Sequence, residues 1–134
     1  MSEQSLGYDL PEDPPGSFPY SQARREGDLL FVAGQLASDD PHWTGPAGDI
    51  EAETRAALDR IGRVLALAGA CHDDILRVGI YLTDLAVFER MNAVYRGYFG
   101  ACLPARTTVG VASLLNGGMI EIDCVARVPP AKPG

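Results

Sequence analysis

The sequence has few of the residues that build disulfides, metal centres or histidine-based catalytic sites. It holds three cysteines, Cys71, Cys102 and Cys124, and two histidines, His42 and His72. The cysteines are far apart, odd in number and without a Cys-x-x-Cys pair, so we expect buried, reduced thiols in a cytoplasmic protein. Both histidines lie in polar stretches and are interpreted as loop residues. We therefore expect no metal site and no Ser-His-Asp hydrolase.

Long apolar runs and positive charge are also scarce. The longest uncharged apolar stretches, such as residues 64–71, are far shorter than the about 20 residues of a membrane span. The N-terminus lacks the basic region and apolar core of a signal peptide, which also favours a cytoplasmic location and no membrane partner. Eleven Lys and Arg against eighteen Asp and Glu give a net charge of −7, which argues against nucleic acid as a partner.

Length and composition predict one folded domain. The chain has 134 residues, of which 46% are hydrophobic and 22% charged, as in ordinary globular proteins. Residues 1–18 are rich in proline, glycine and acidic residues, which predicts a flexible N-terminal leader. The single folded domain is then expected over 19–128. A Pro-rich tail over 129–134 cannot continue a sheet.

The apolar pattern predicts alternating strands and helices. Gly27-Asp28 separates two β-rich stretches and predicts a hairpin over 21–34. Apolar residues then recur at steps of three and four, which predicts a helix capped by Asp49 and ended by Gly69. The other expected elements are a strand over 75–83, a helix over 84–99 and strands over 107–112 and 119–128.

This order, ββ-α-β-α-ββ, favours an α+β fold. Two helices and roughly five strands fit a sheet that carries both helices on one face. The other face, which we expect to be lined by residues such as Val32, Tyr81 and Val111, is then left without a cover. Because monomers rarely expose apolar patches of that size, we expect sister subunits to bury it.

Two charged residues at strand positions are candidates for chemistry. Arg106 lies where a loop containing Pro104 enters a strand, and arginine can hold a carboxylate through two parallel hydrogen bonds. The alternative is an arginine at a strand end that an acidic neighbour neutralises. Glu121 alternates with Ile120 and Ile122, so it faces away from them. It either binds and activates a water in a cleft or is a solvated strand residue.

Two uncharged residues are weaker candidates. Tyr20 precedes the first strand of the hairpin and is either a pocket wall or a core or interface aromatic. Asn92 lies beside the apolar face of the second helix, where it orients pocket residues or caps a backbone group, and the structural role is favoured. Asn116-Gly117-Gly118 joins two strands and has neither P-loop nor dinucleotide-binding spacing, so nucleotide binding is not expected.

Several motifs together resemble one family. They are Pro19-Tyr20-Ser21-Gln22-Ala23, Gly34-Gln35, Met91-Asn92-Ala93-Val94-Tyr95 with Tyr98-Phe99, Pro104-Ala105-Arg106-Thr107, and Ile120-Glu121-Ile122. This combination resembles the Rid family of reactive intermediate deaminases, also called YjgF or L-PSP. The resemblance covers about residues 17–128. Each motif alone is weak, but the set is specific.

The resemblance implies a fold, an assembly and a site. The fold is a chorismate-mutase-like α+β fold with a mixed β-sheet. The assembly is a homotrimer whose sheets meet in a central β-barrel, with a cleft at each subunit interface. The family's carboxylate-binding arginine corresponds to Arg106 and its water-associated glutamate to Glu121. Its pocket tyrosine corresponds to Tyr20 and its helix asparagine to Asn92.

The implied reaction is hydrolysis of an enamine or imine, such as 2-aminoacrylate or 2-iminopropionate, to a 2-keto acid and ammonia. It requires no metal or organic cofactor. At two substrate-binding positions the chain departs from the best-known deaminases, with Ala33 in place of serine and Thr108 in place of cysteine. Leu114-Leu115 replaces a frequent Leu-Pro. The departures leave the identity of the imine open.

Three other functions compete with the deaminase. The first is a non-catalytic protein that binds small keto or amino acids through Arg106. The second is an endoribonuclease or translation inhibitor of the L-PSP type, against which the acidic charge and the absence of a histidine pair argue. A chorismate mutase is an analogy at the level of fold alone.

Overall fold

The computed structural model describes residues 5–14, 16–46 and 48–130 and contains one six-stranded sheet with two α-helices. The elements in chain order are β1 (Ser5–Tyr8), β2 (Ala23–Glu26), β3 (Leu29–Gln35), α1 (Ile50–Leu67), β4 (Ile75–Leu82), α2 (Phe88–Arg96), β5 (Ala105–Gly110) and β6 (Ile120–Arg127). The strand order is β1-β2-β3-β6-β4-β5. Neighbouring strands are antiparallel except β4 and β5, which α2 connects in parallel, as a crossover helix allows.

Local signals account for most element boundaries. Asp49 caps α1, since its Oδ1 accepts a hydrogen bond from the Ala52 backbone N–H at 3.0 Å. Gly69, with φ of 78°, follows the end of that helix, as predicted. Asp84 caps a 3₁₀ turn over Leu85–Val87, so the second α-helix begins later than predicted. Within the described chain, neither helix has the length and apolarity needed to cross a membrane.

Both helices cover the same face of the sheet. Leu30, Val32 and Ile122 point toward them and are at most 5% exposed. On the opposite face, Phe31 and Val109 remain 47% and 40% exposed. The prediction that Val32 lines the uncovered face is wrong, because side chains alternate along a strand and a shift of one residue exchanges the two faces.

The other two residues predicted for the uncovered face, Tyr81 and Val111, lie on that side. Tyr81 does lie there, because it pairs with Glu121 on β6, whose neighbours point into the core. Val111 follows the last residue of β5 and donates its backbone N–H to Leu82 O at 2.8 Å. It therefore continues the ladder between β4 and β5, and its position two residues after Val109 puts it on the same, uncovered side, as predicted.

The N-terminal segment is more ordered than the sequence predicted. Residues 5–8 form β1, which pairs antiparallel with β2, and Leu10 is only 3% exposed. The expectation of an irregular leader over 1–18 is wrong for these residues, because β1 satisfies the backbone groups at the edge of β2. Residues 1–4, and residues 131–134 of the expected Pro-rich tail, lie outside the described residues.

A buried polar network joins this segment to the core. The Arg60 side chain on α1 is fully buried, and its Nε donates to Gln35 Oε1 at 2.6 Å. Its Nη2 donates to Asp13 Oδ2 at 2.7 Å. Gln35 Nε2 in turn donates to Gln22 Oε1 at 2.7 Å. One guanidinium thus connects the N-terminal segment, α1 and β3.

The cysteines and His72 differ in part from expectation. Cys124 is buried, and burial raises the pKa of its thiol to about 12. Cys71 and Cys102 are exposed, so the expectation of buried thiols is wrong for these two. The Nε2 atom of His72 lies 2.8 Å from the Leu58 carbonyl oxygen, so this histidine packs against α1 and is not a solvated loop residue.

Candidate functional site

A small cavity lies between α2 and the beginning of β5. Its volume is about 230 Å³, and its lining residues are Asn92, Tyr95, Arg96, Leu103, Pro104 and Arg106. Residues three and four apart share one side of a helix, which places three of these residues together on α2. The loop before β5 supplies two more, and Arg106 is the second residue of the strand.

Two aromatic rings hold Arg106 in this cavity. Its guanidinium carbon lies 4.7 Å from the centre of the Tyr95 ring and 5.5 Å from that of Phe88. Such contacts favour a cation on the ring face and restrict its motion. In the described part of the chain, Arg106 forms no ion pair with a carboxylate. Its side chain is therefore oriented while its charge remains available to an anion.

Buried polar atoms without partners surround the same arginine. Asn92 Oδ1, Tyr95 Oη and Thr108 Oγ1 are buried and make no hydrogen bond within the described residues. Thr108 points to the same side of β5 as Arg106, two residues further along. Each such atom costs about 1–3 kcal/mol when left unpaired. The concentration of three of them here favours a site that a polar ligand completes.

The Tyr95 phenol stays protonated in this environment. Burial raises its pKa, and the nearby Arg106 charge opposes that effect only in part. Tyr95 can therefore donate a hydrogen bond at neutral pH.

Glu121 lies on the opposite, uncovered face of the sheet. Its side chain passes over Gly34, where an added Cβ would lie 2.8 Å from the Glu121 carboxyl carbon. Glycine at position 34 thus makes room for this carboxylate. Burial raises the pKa of Glu121, and the charges of Asp39 and Asp123 raise it further. The group is therefore poised to exchange protons at a higher pH than an ordinary glutamate.

Two further predicted site residues, Tyr20 and Ala33, lie near Glu121. Tyr20 is 47% exposed, with its ring centre 5.3 Å from that of Phe18. Burial raises the pKa of Tyr20, and the negative charges of Asp39 and Glu121 raise it further. Ala33 has no polar side chain, but its backbone N–H donates to Gln22 O and its carbonyl accepts from the Gln35 side chain.

The structure therefore divides the predicted site residues into two groups. Arg106 and Asn92 line the cavity on the side of the sheet that the helices cover, and Thr108 projects to the same side of β5 as Arg106. Glu121, with Tyr20 and Ala33 near it, belongs to the other group. Because Arg106 and Glu121 project from opposite faces of one sheet, a single chain does not bring them together.

Three residues of helix α2 at this site were not predicted as site residues: Tyr95 and Arg96, which line the cavity, and Phe88, whose ring contacts Arg106. Phe88 precedes Asn92 by four residues, and Tyr95 and Arg96 follow it by three and four. All three therefore lie on the same side of α2 as Asn92. The helical spacing from Asn92 was the signal that could have identified them.

A family model and curated relatives match nearly the whole chain. The model described as Endoribonuclease L-PSP matches residues 11–128, so the match begins before the predicted domain start at residue 19. A RutC family protein of Pyrococcus horikoshii is 42% identical over 81% of this chain and 86% of its own. A 2-iminobutanoate/2-iminopropanoate deaminase of Bos taurus is 34% identical over 84% of this chain and 82% of its own.

Solved structures show the same arrangement of sheet and helices. A protein of the conserved Rid family from Yersinia pestis has a TM-score of 0.85 and 33% identity, covering 92% of this chain and 99% of its own. Escherichia coli TdcF with bound serine has a TM-score of 0.82 and 27% identity, covering 91% and 98%. Both structures thus cover nearly the whole of this fold, and the second holds a small amino acid.

Proposed function

We propose, since this chain belongs to the Rid family, also called YjgF or L-PSP, that it is an enzyme that hydrolyses reactive enamines and imines. The substrates are of the 2-aminoacrylate and 2-iminopropionate type, and the products are a 2-keto acid and ammonia. The observation that carries the proposal is the cavity in which Arg106, without an acidic partner in the described chain, lies among unpaired polar atoms. The deaminase names of relatives support it.

Arg106 binds the substrate carboxylate through two parallel hydrogen bonds. Because the rings of Tyr95 and Phe88 already restrict its guanidinium, little freedom is lost on binding. Asn92 Oδ1 is positioned to accept a hydrogen bond from the protonated imine nitrogen. Thr108 Oγ1, two residues beyond Arg106 on the same side of β5, adds a further polar atom next to this site. These contacts leave the imine carbon facing the incoming water.

In the chemical step, water adds to the imine carbon while Glu121 takes its proton. Glu121 then returns this proton to the amine nitrogen, the C–N bond breaks and ammonia leaves. The hydroxyl oxygen forms the C=O bond and gives its proton to water, so there is no redox change. Such imines already hydrolyse in water, so positioning and one general base supply a sufficient acceleration. The step uses neither a metal nor an organic cofactor. Ala33 and Thr108 then adjust which imine fits.

A homotrimer would unite the two groups of site residues. Since Arg106 and Glu121 lie on opposite faces of one sheet, a site that uses both takes one residue from each of two chains. In the proposed assembly the uncovered faces, with Phe31 and Val109, form a central β-barrel, and a cleft lies at each interface. Its partners are small imines and keto acids, not nucleic acid or membranes, and its location is cytoplasmic.

A trapping assay tests the proposed activity. An amino acid oxidase or a PLP-dependent dehydratase generates the imine in situ, while semicarbazide captures what remains unhydrolysed. We expect the protein to increase the rate of keto-acid release and to decrease the trapped fraction. No acceleration with imines from several amino acids would contradict the enzyme and favour a binding protein.

Changing Glu121 to Gln separates catalysis from binding. We expect turnover to fall by about 100-fold because the general base is lost. Affinity for a 2-keto acid such as pyruvate should change little, because Arg106 holds the carboxylate. Turnover follows from the trapping assay and affinity from calorimetry. The bound serine in TdcF favours the alternative of binding without turnover. That alternative predicts that neither wild type nor Glu121→Gln releases keto acid faster than the imine does in buffer.

The pH profile provides a second measurement on Glu121. If it acts as a base, activity falls as the pH drops through its pKa, which burial, Asp39 and Asp123 raise. Removing one negative charge with Asp39→Asn should therefore lower this pKa and move the acidic limb of kcat/KM to lower pH. Asp28→Asn, at an exposed carboxylate in the β2–β3 turn, is the control. An acidic limb that stays in place in Asp39→Asn would exclude Glu121 as the titrating group.

An endoribonuclease is the second candidate, because the matching family model carries that description. The net charge of −7 opposes RNA binding at long range. RNA cleavage by highly purified Arg106→Ala protein would favour this function over the deaminase.

A further inference from the structure

A second guanidinium lines the Arg106 cavity. Arg96 follows Asn92 by four residues on α2 and comes directly after Tyr95, so it lies on the same side of the helix. The cavity thus contains two arginines, one from the strand β5 and one from the helix α2. Within the described chain, no carboxylate lines it.

Arg96, like Arg106, has no acidic partner in the described part of the chain. Arg90, on the same helix, instead pairs with Glu51. Among the described residues, Arg96 forms no ion pair and no hydrogen bond of its side chain. In a protein of net charge −7, a small cavity lined, within the described chain, by two cations and no carboxylate has a locally positive character.

This arrangement fits a small ligand with two negative charges. Arg106, half-buried and stacked on aromatic rings, suits the carboxylate next to the reacting carbon. Arg96, at the exposed side of the same cavity, suits a second carboxylate at the far end of the ligand. The volume of about 230 Å³ lies below the roughly 300–1,000 Å³ typical of drug-sized ligands, which favours a small metabolite.

We propose that Arg96 binds the side-chain carboxylate of imines derived from acidic amino acids, so that 2-iminosuccinate and 2-iminoglutarate belong to the preferred substrates of this chain. The inference rests on the proposed function, because it uses the same cavity and the same reaction. Water adds to the imine carbon and ammonia leaves, giving oxaloacetate or 2-oxoglutarate. A substrate without the second carboxylate leaves Arg96 in water, so its hydrolysis does not depend on this residue.

The test compares imines made in situ by flavin-dependent oxidases from aspartate or glutamate with the imine made from alanine. Arg96→Gln should lower kcat/KM for the dicarboxylate imines about 10-fold and change that for the alanine-derived imine by less than about twofold. Arg96→Glu should lower the former further, because it repels the second carboxylate. Arg90→Gln, an exposed arginine of the same helix outside the cavity lining, is the matched control and should leave the ratio of the two rates unchanged.

The outcomes distinguish this inference from the proposed function. Equal losses for both classes of imine in Arg96→Gln would overturn the assignment of the second carboxylate site. Wild-type protein that accelerates hydrolysis of the alanine-derived imine but not of the dicarboxylate imines would also overturn the second carboxylate site. The deaminase function would then still stand. Wild-type protein that accelerates none of them would overturn both.

Discussion

Replacing Arg106 with alanine is expected to lower kcat/KM for imine hydrolysis by about 100-fold, which corresponds to about 2.7 kcal/mol of transition-state stabilisation. The substrate carboxylate loses its guanidinium, and no other described cation is stacked on the rings of Tyr95 and Phe88 to replace it. Keto-acid release in the presence of semicarbazide measures the loss. Affinity for 2-keto acids should fall together with turnover, because both depend on the same contact.

Two substitutions separate the geometry of this arginine from its charge. Arg106→Lys keeps the charge but loses the two parallel hydrogen bonds, so its activity should lie between wild type and Arg106→Ala. Arg90→Ala removes one positive charge outside the cavity lining and should leave kcat/KM within about twofold of wild type. An Arg106→Ala protein with wild-type activity would refute the role of the cavity.

Mixing two inactive variants tests whether the site is shared between chains. In a co-expressed assembly, a complete site needs Arg106 from the Glu121→Gln chain and Glu121 from the Arg106→Ala chain. With random mixing of equal amounts, about one quarter of the sites meet this condition. We expect about that share of wild-type activity. Activity no higher than that of the separate variants would place both residues in one chain.

Replacing Arg60 with methionine is expected to lower the free energy of unfolding by about 3–5 kcal/mol. The change leaves the Asp13 carboxylate, whose side chain is 5% exposed, without its partner, and it removes the donor to Gln35. Net stabilities of domains are only about 5–15 kcal/mol, so this loss is a large fraction. Urea-induced unfolding, followed by circular dichroism, measures it.

Arg63 on the same helix is the matched control. Its side chain is 44% exposed and pairs with Glu12 and Asp40. Because exposed ion pairs contribute little, Arg63→Ala should cost less than about 1 kcal/mol. Equal effects of Arg60→Met and Arg63→Ala would show that the buried network contributes no more than a surface pair.

Much of the fold was predictable because its signals are local. The hairpin follows from Gly27-Asp28, and α1 follows from the Asp49 cap and the spacing of its apolar residues. Arg60 was missed although its spacing from Ala57 and Val64 places it on the apolar face of the helix, since composition alone favours an exposed arginine. β1 was missed because a segment rich in proline and glycine gives little sign of the strand edge that receives it.

The candidate site was predictable only in its parts. Arg106, Glu121, Tyr20 and Asn92 were identified by their residue types and by the family they resemble. The division of these residues into two groups was not predicted, because it depends on the face of the sheet from which each side chain of β5 and β6 projects.

The sequence by itself determined the order of the elements from β2 to β6, the family and the chemical character of an arginine-based site. Short-range hydrogen bonding and apolar periodicity encode the elements directly in neighbouring residues. Only the tertiary structure decided that Arg96 shares a cavity with Arg106, that Arg60 is buried, and that Glu121 lies across the sheet. These facts depend on strand order and register, which contacts between residues far apart in the chain establish.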